Sequence, residues 1–169
     1  LGDGIGAANG SLTLSAAGSV TSNGAVNLGV LNLANGTWTQ VAASLPGFSV
    51  TDFRLGPGAT FVRALGGDGS AATPYRIADV YGLQGLASSS LAGSRFVLAG
   101  DIDASASALW NNGAGFLSIG SLANPFTGRL DGQGHRISGL AINRPGSTYS
   151  GLFGYNAGYV GNLNLVGGS

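Results

Sequence analysis

Apolar residues alternate with small polar ones along most of this chain, in short runs separated by glycine, proline or Asn-Gly. An alternation of period two places one side of an extended segment inward, so each run predicts a short strand. Leu12 and Leu14 form one such run, after a glycine-rich stretch over residues 1–11 that reads as a corner or a frayed end. Asn23-Gly24 predicts a turn before Val26, Leu28 and Val30. Leu31 breaks the alternation, which suggests a corner, and Leu33 resumes it. Asn35-Gly36 predicts a further turn ahead of the β-branched and aromatic run Thr37–Val41. Between Pro46-Gly47 and Gly56-Pro57-Gly58, residues Phe48, Val50, Phe53 and Leu55 give one or two strands, and Phe61, Val62 and Leu65 follow before a loop at Gly66–Ser70.

Tyr75–Ile77 reads as a strand, and Asp79 is placed to cap a short helix reaching Leu86 or Ala87. Gly82 and Gly85 weaken that helix by about 1 kcal/mol each relative to alanine. Further on, Arg95–Leu98 is a strand that Asp101-Ile102-Asp103 continues. Trp110-Asn111-Asn112-Gly113 is a protruding loop, and Gly115–Gly120 is another strand. Ile137, Leu140 and Ile142 then recur, with the same internal spacing, as Val160, Leu163 and Leu165. Units of that kind which repeat along a chain stack on one another, because each buries its apolar face only against its neighbours. The expectation is one all-β domain over residues 1–169, a parallel β-helix (solenoid) with at most one short helix near residues 79–87. The offset between the two apolar trios, taken as one turn of the solenoid, gives roughly six or seven coils.

The region Phe126–Leu165 carries a resemblance. Phe126-Thr-Gly-x-Leu-Asp-Gly-x-Gly-His-x-Ile-Ser-Gly-Leu-x-Ile142, then Gly151-Leu-Phe-Gly154 and the segment Val160–Leu165, resembles the GLUG-type repeat of bacterial surface proteins. Gly36–Gln40 and Tyr75–Gln84 are similar to segments of filamentous-haemagglutinin-type exoproteins. This resemblance implies a secreted, right-handed parallel β-helix that serves as an adhesin shaft, and it implies no catalytic residue. Right-handedness also follows the rule for parallel crossovers.

Composition sharpens the picture in three ways. The charged residues are seven arginines and seven aspartates, with no lysine and no glutamate. Lysine and glutamate favour helix surfaces, so their absence agrees with a chain almost free of exposed helix. The net charge is zero, which gives no basic field for nucleic acid. Cysteine is absent as well, which excludes disulfides and thiolate metal sites. No apolar run is long enough for a membrane helix. The pattern opens and closes within a repeat, which reads as a segment of a longer chain.

Few residues suggest chemistry. Asp101-x-Asp103-x-Ser105 matches the start of an EF-hand loop, but Ala106 and Asn112 stand where glycine and glutamate are required. Asp101 and Asp103 are therefore weak metal candidates, and backbone capping by these aspartates is the competing reading. Gly2-Asp3-Gly4 and Gly66-Gly67-Asp68-Gly69 are similar to glycine-rich calcium repeats but do not recur in tandem. The lone His135, in Asp131-Gly-Gln-Gly-His135, suits a hydrogen-bonded turn. Aromatics such as Trp110 mostly fill coils or cover loops; Trp110, beside two asparagines and a glycine, is the one placed for exposure and the candidate ligand contact. Asn9 and Asn35 fit the N-glycosylation sequon.

The function expected from all this is a non-catalytic structural or adhesive segment of a secreted, cell-surface adhesin or fibre. Its candidate partners are a receptor or glycan on a host or neighbouring cell, and other copies of itself through end-to-end contact. The competing reading is a β-helix that binds or cleaves carbohydrate. No cofactor is expected.

Overall fold

The computed structural model describes residues 4–169. The described part is mostly β-strand, with one short helix among the strands. It contains β1 (Ile5–Leu14), β2 (Ser19–Thr21), β3 (Val26–Val41), β4 (Phe48–Ala64), β5 (Tyr75–Ile77), α1 (Val80–Gly85), β6 (Arg95–Leu98), β7 (Ile102–Asp103), β8 (Arg129–Asp131), β9 (Arg136–Leu140), β10 (Tyr159–Gly161) and β11 (Asn164–Gly168). Two 3-10 turns, Ser89–Leu91 and Ser105–Leu109, join them. The strands make three sheets, and every strand pairing is parallel. In the first, β3 is flanked by β4 on one side and by β1 and then β2 on the other. The second has the order β10-β8-β6-β5 and the third β11-β9-β7.

β3 and β4 explain why the alternation slips. In β3 the buried residues are Val26 and Leu28, then Leu31 and Leu33, then Trp38 and Gln40, so the inward phase changes near Val30 and again near Asn35. β4 changes phase between Val50 and Phe53, yet the two strands stay paired from Val26↔Phe48 to Val41↔Ala64. Leu31 thus marks a corner inside one continuous strand. Asn35-Gly36 and Gly56-Pro57-Gly58, expected as a turn and a breaker, lie inside strands as well. The register shifts between Leu33↔Leu55 and Asn35↔Gly58, and Pro57 sits in that bulge, where its missing N–H interrupts no ladder. A side chain on Gly56 would drive its Cβ into the Ala34 carbonyl oxygen, so the bulge presses backbone on backbone there.

Other expectations change too. Ile5–Ser11 belongs to β1 and pairs with β3, so it is neither a corner nor frayed; residues 1–3, including the Asp3 of the calcium-like motif, lie outside the described residues. Arg95–Leu98 and Ile102–Asp103 enter different sheets. Gly115–Gly120 forms only isolated bridges, to Ile142 and Phe153, although Phe116 and Ile119 are buried. The apolar repeat of the sequence is out of register with the pairing. Val160 lies beside Leu130 rather than Ile137, and Ile137 lies beside Leu165. The reason is that Val160 and Leu165 belong to two different sheets, whereas Ile137 and Leu140 share β9. The step from one paired strand to the next is also uneven, short from Ser19 to Thr37 and about twice as long from Ile102 to Ile137. Leu163 packs half-buried against the core, while Leu165, expected inward, is 54% exposed because no strand pairs with the outer edge of β11.

One continuous apolar core runs from Val26 to Leu152. Rings link its layers: Phe61 lies 4.8 Å from Phe53, Phe53 meets Trp110 edge-on at 5.5 Å, and Phe126 bridges Phe96 (6.2 Å) and Phe153 (5.2 Å). Burying each such side chain contributes about 1.5–3 kcal/mol. The segment from α1 to Ser89–Leu91 lies on the edge of β4 that β3 leaves open. Asp79 caps α1 by accepting from the Gly82 N–H (2.8 Å). The Tyr81 hydroxyl accepts from Val50 N–H (2.9 Å) and donates to Val50 O (3.1 Å), and Ser88 Oγ accepts from Phe61 N–H (3.0 Å). Side chains here satisfy backbone groups that a further strand would otherwise pair.

Candidate binding surface

The aspartates of the sequence motif sit at the start of the third sheet, and their oxygens are taken up locally. Asp101 Oδ1 accepts from the Arg136 N–H (3.1 Å) and lies 3.4 Å from His135 Nδ1, and Oδ2 accepts from Arg136 Nε (2.9 Å). The Arg136 N–H, with the Arg136 guanidinium and His135 beside it, holds the Asp101 carboxyl below the ordinary carboxylate range. Asp103, in β7, accepts from the Ser105 N–H (2.9 Å), which lowers its carboxyl likewise. These are the backbone-capping roles of turn aspartates. Among the described residues, no three His, Asp, Glu or Cys side chains gather as a metal site would need. His135 takes Asp101 as its carboxylate neighbour. Asp131, which precedes it in the same turn, instead accepts from Gln133 N–H (3.0 Å), Asn162 Nδ2 (3.0 Å) and Arg129 Nη2 (3.1 Å).

Trp110 is a correction. It does begin a tight turn, in which Asn111 (φ 55°), Asn112 (φ 57°) and Gly113 (φ 81°) are left-handed, a conformation asparagine and glycine tolerate. The turn directs the indole inward, where it is fully buried against Phe53 and Tyr81, so it offers no ligand a face. Trp38 is buried too. The exposed aromatics are Tyr149, Tyr155 and Tyr159, the first two meeting edge-on at 6.1 Å. Asn9 is exposed in β1 at a register shift, and Asn35 is exposed at the bulge, where its Oδ1 accepts from Gly36 N–H (2.8 Å).

Two curated proteins share part of this sequence. Halomucin of Haloquadratum walsbyi is 41% identical over 111 residues, covering 61% of this chain and 1% of halomucin. A Gly-rich membrane protein of Evansella cellulosilytica is 40% identical over 104 residues, covering 60% of this chain and 12% of that protein. The chain thus spans a small part of either relative. No family model matches, so the likeness to GLUG-type repeats rests on the motif residues alone, and no solved structure matches either.

The surface that motif reading missed is the outward face of the second sheet. Arg95, Arg129 and Tyr159 occupy successive places on β6, β8 and β10, and all point away from the core, since the next residues, Phe96, Leu130 and Val160, point into it. Arg76 takes the outward place on β5. A signal for this face exists in the sequence: glycine precedes an outward residue and an inward apolar one in Gly128-Arg129-Leu130 and Gly158-Tyr159-Val160, and Gly93-Ser94-Arg95-Phe96 differs by one inserted serine.

Proposed function

We propose that the chain is a non-catalytic structural and adhesive segment of a cell-surface or membrane-associated protein, built as a right-handed parallel β-solenoid. The observation that carries this reading is the parallel, in-register stacking of strands that follow one another in the chain, with corners falling at matching places in β3 and β4. Parallel neighbours need a return path, and from β3 to β4 that return is made without the helix of an α/β unit. Relatives of very different length that share this stretch fit a modular shaft. One relative is named halomucin and the other a membrane protein, and a place at the cell boundary suits both names. The aspartates at sheet margins cap backbone groups, an architectural task.

Antibodies raised against the isolated chain test the location. They are expected to label unpermeabilised cells of the organism that makes the protein. Labelling that appears only after permeabilisation contradicts the proposal.

A further inference from the structure

The outward face of the β10-β8-β6-β5 sheet carries an arrangement that stability alone does not explain. Arg95 and Arg129 are direct neighbours on parallel strands, which places their backbones about 4.8 Å apart. Like charges in that position are destabilising. Arg129 is partly engaged: Nη2 donates to Asp131 Oδ2 (3.1 Å), and its guanidinium lies over the Tyr159 ring, 3.8 Å from the centroid. The exposed Arg95 side chain has no hydrogen bond or ion pair among the described residues, and neither does that of Arg76. Three of the seven arginines of a chain without net charge thus share one sheet face. Asp131 is the one carboxylate on these four strands, and it is already held by Gln133, Asn162 and Arg129. Asp68, in the neighbouring loop, is likewise held by Ser70 and Thr73.

Between the two arginines lies a shallow recess with a floor of backbone. Gly93, Gly128 and Gly158 form the floor, and Thr127 and Tyr159 stand at its side. A Cβ on Gly128 would collide with the Ser94 carbonyl oxygen, and one on Gly158 with that of Gly128. The layers touch backbone to backbone here, so the floor stays flat and free of side chains.

We propose that this recess binds an acidic sugar unit of a glycan, with Arg95 and Arg129 on its carboxylate or sulfate and the ring lying on the glycine floor. Guanidinium forks match the paired oxygens of those anions. The Thr127 hydroxyl, which donates to the Ala92 carbonyl oxygen (3.4 Å), lies beside Gly93 and keeps an acceptor for a sugar hydroxyl, and the Tyr159 side chain stands at the margin of the recess. An acidic peptide fits less well. β6 and β8 are paired on both edges, leaving no place to add a strand, and the floor offers no apolar pocket for a peptide side chain. This inference rests on the reading of the chain as a surface segment, and it gives the adhesive part of that reading a ligand class.

The test uses calorimetric titration of the whole chain with a heparin-derived hexasaccharide, with maltohexaose, hexaglutamate and sodium sulfate as comparison arms. The variants are Arg95→Gln, Arg129→Gln and, as an equal change of charge elsewhere, Arg136→Gln, each accepted only if its melting temperature stays near that of the parent. Binding of the acidic hexasaccharide is expected, with no binding of maltohexaose. Arg95→Gln and Arg129→Gln should weaken it by about tenfold or more, and Arg136→Gln by far less. Equal loss in all three variants, or no binding by the parent, overturns the site. Sulfate or hexaglutamate competing as well as the sugar assigns the recess to free anions or peptides and overturns the glycan. Failure in these titrations with antibody labelling of intact cells retained removes the ligand site alone and leaves the surface assignment standing.

Discussion

Arg63 is the charged side chain buried most deeply among the described residues, at 4% exposure. Its Nε donates to Asp79 Oδ2 (2.7 Å), its other nitrogens reach Gln40 Oε1 and the Pro46 carbonyl oxygen (2.9 Å), and the guanidinium lies 4.9 Å from the Phe48 centroid. Removing one partner of a buried pair strands the other charge, which costs about 3–5 kcal/mol. Asp79→Ala should lose about that much in urea unfolding, because it also deletes the cap of α1. Asp79→Asn keeps a capping oxygen and should lose less. Equal losses in the two variants would show that the cap contributes nothing, and a loss below about 1 kcal/mol for Asp79→Ala would contradict the buried-pair account.

The aspartates also set a pH response. Hydrogen bonds from Thr73 and Ser70 lower Asp68 to about 2, and those from Arg136, Ser105 and Gln133 lower Asp101, Asp103 and Asp131. A lowered folded-state value means that the unfolded chain takes up protons first as pH falls. The stabilisation is therefore fully present above the unfolded value of about 4 and is lost on descending toward 2. Melting temperature should be level from pH 7 to 5 and should fall between pH 4 and 2.5. A level or rising melting temperature across the lower window contradicts these assignments.

At the scale of elements, the glycines of α1 act against helix propensity and in favour of packing. A Cβ on Gly85 would run into the Phe61 carbonyl oxygen, and one on Gly82 would lie 2.5 Å from that of Arg63. Propensity alone makes Gly85→Ala stabilising by about 1 kcal/mol. The close approach to β4 reverses that sign, and the variant should melt lower than the parent; a higher melting temperature would mean that α1 does not sit tightly on β4. The same contrast separates what the sequence makes legible from what it does not. Asp79 as a cap and the inward pair Val26 and Leu28 are local, so residue types reveal them, whereas Val30, expected to continue that alternation, gives way to Leu31 at the corner. The burial of Trp110 depends on Phe53, and His135 meets Asp101, partners too remote along the chain for any periodicity to inform. Gly56-Pro57-Gly58 has the composition of a turn, and only its pairing with β3 makes it a bulge. Arg95 and Arg129 escape motif reading for the same reason, since their adjacency arises from strand pairing across an uneven loop.

For the whole molecule, β11 is the outer strand of the third sheet and leaves one edge open, with Leu165 and Val166 about half exposed. An open strand edge beside apolar side chains is a template for another chain, and zero net charge opposes contact weakly. The isolated chain should therefore associate as concentration rises, read by sedimentation velocity, and Leu165→Arg should reduce the effect. Invariant monomer at high concentration would remove self-association while leaving the stack itself untouched.

The register of the stacked strands distinguishes this fold from a simple repeat that pairs Ile137 with Val160. Nuclear Overhauser contacts between backbone protons of an isotope-labelled chain measure that register directly. Interstrand contacts of parallel type are expected between Leu31 and Phe53, Leu130 and Val160, and Ile137 and Leu165. Contacts linking Ile137 to Val160, or an antiparallel pattern in any of the three sheets, would contradict that register.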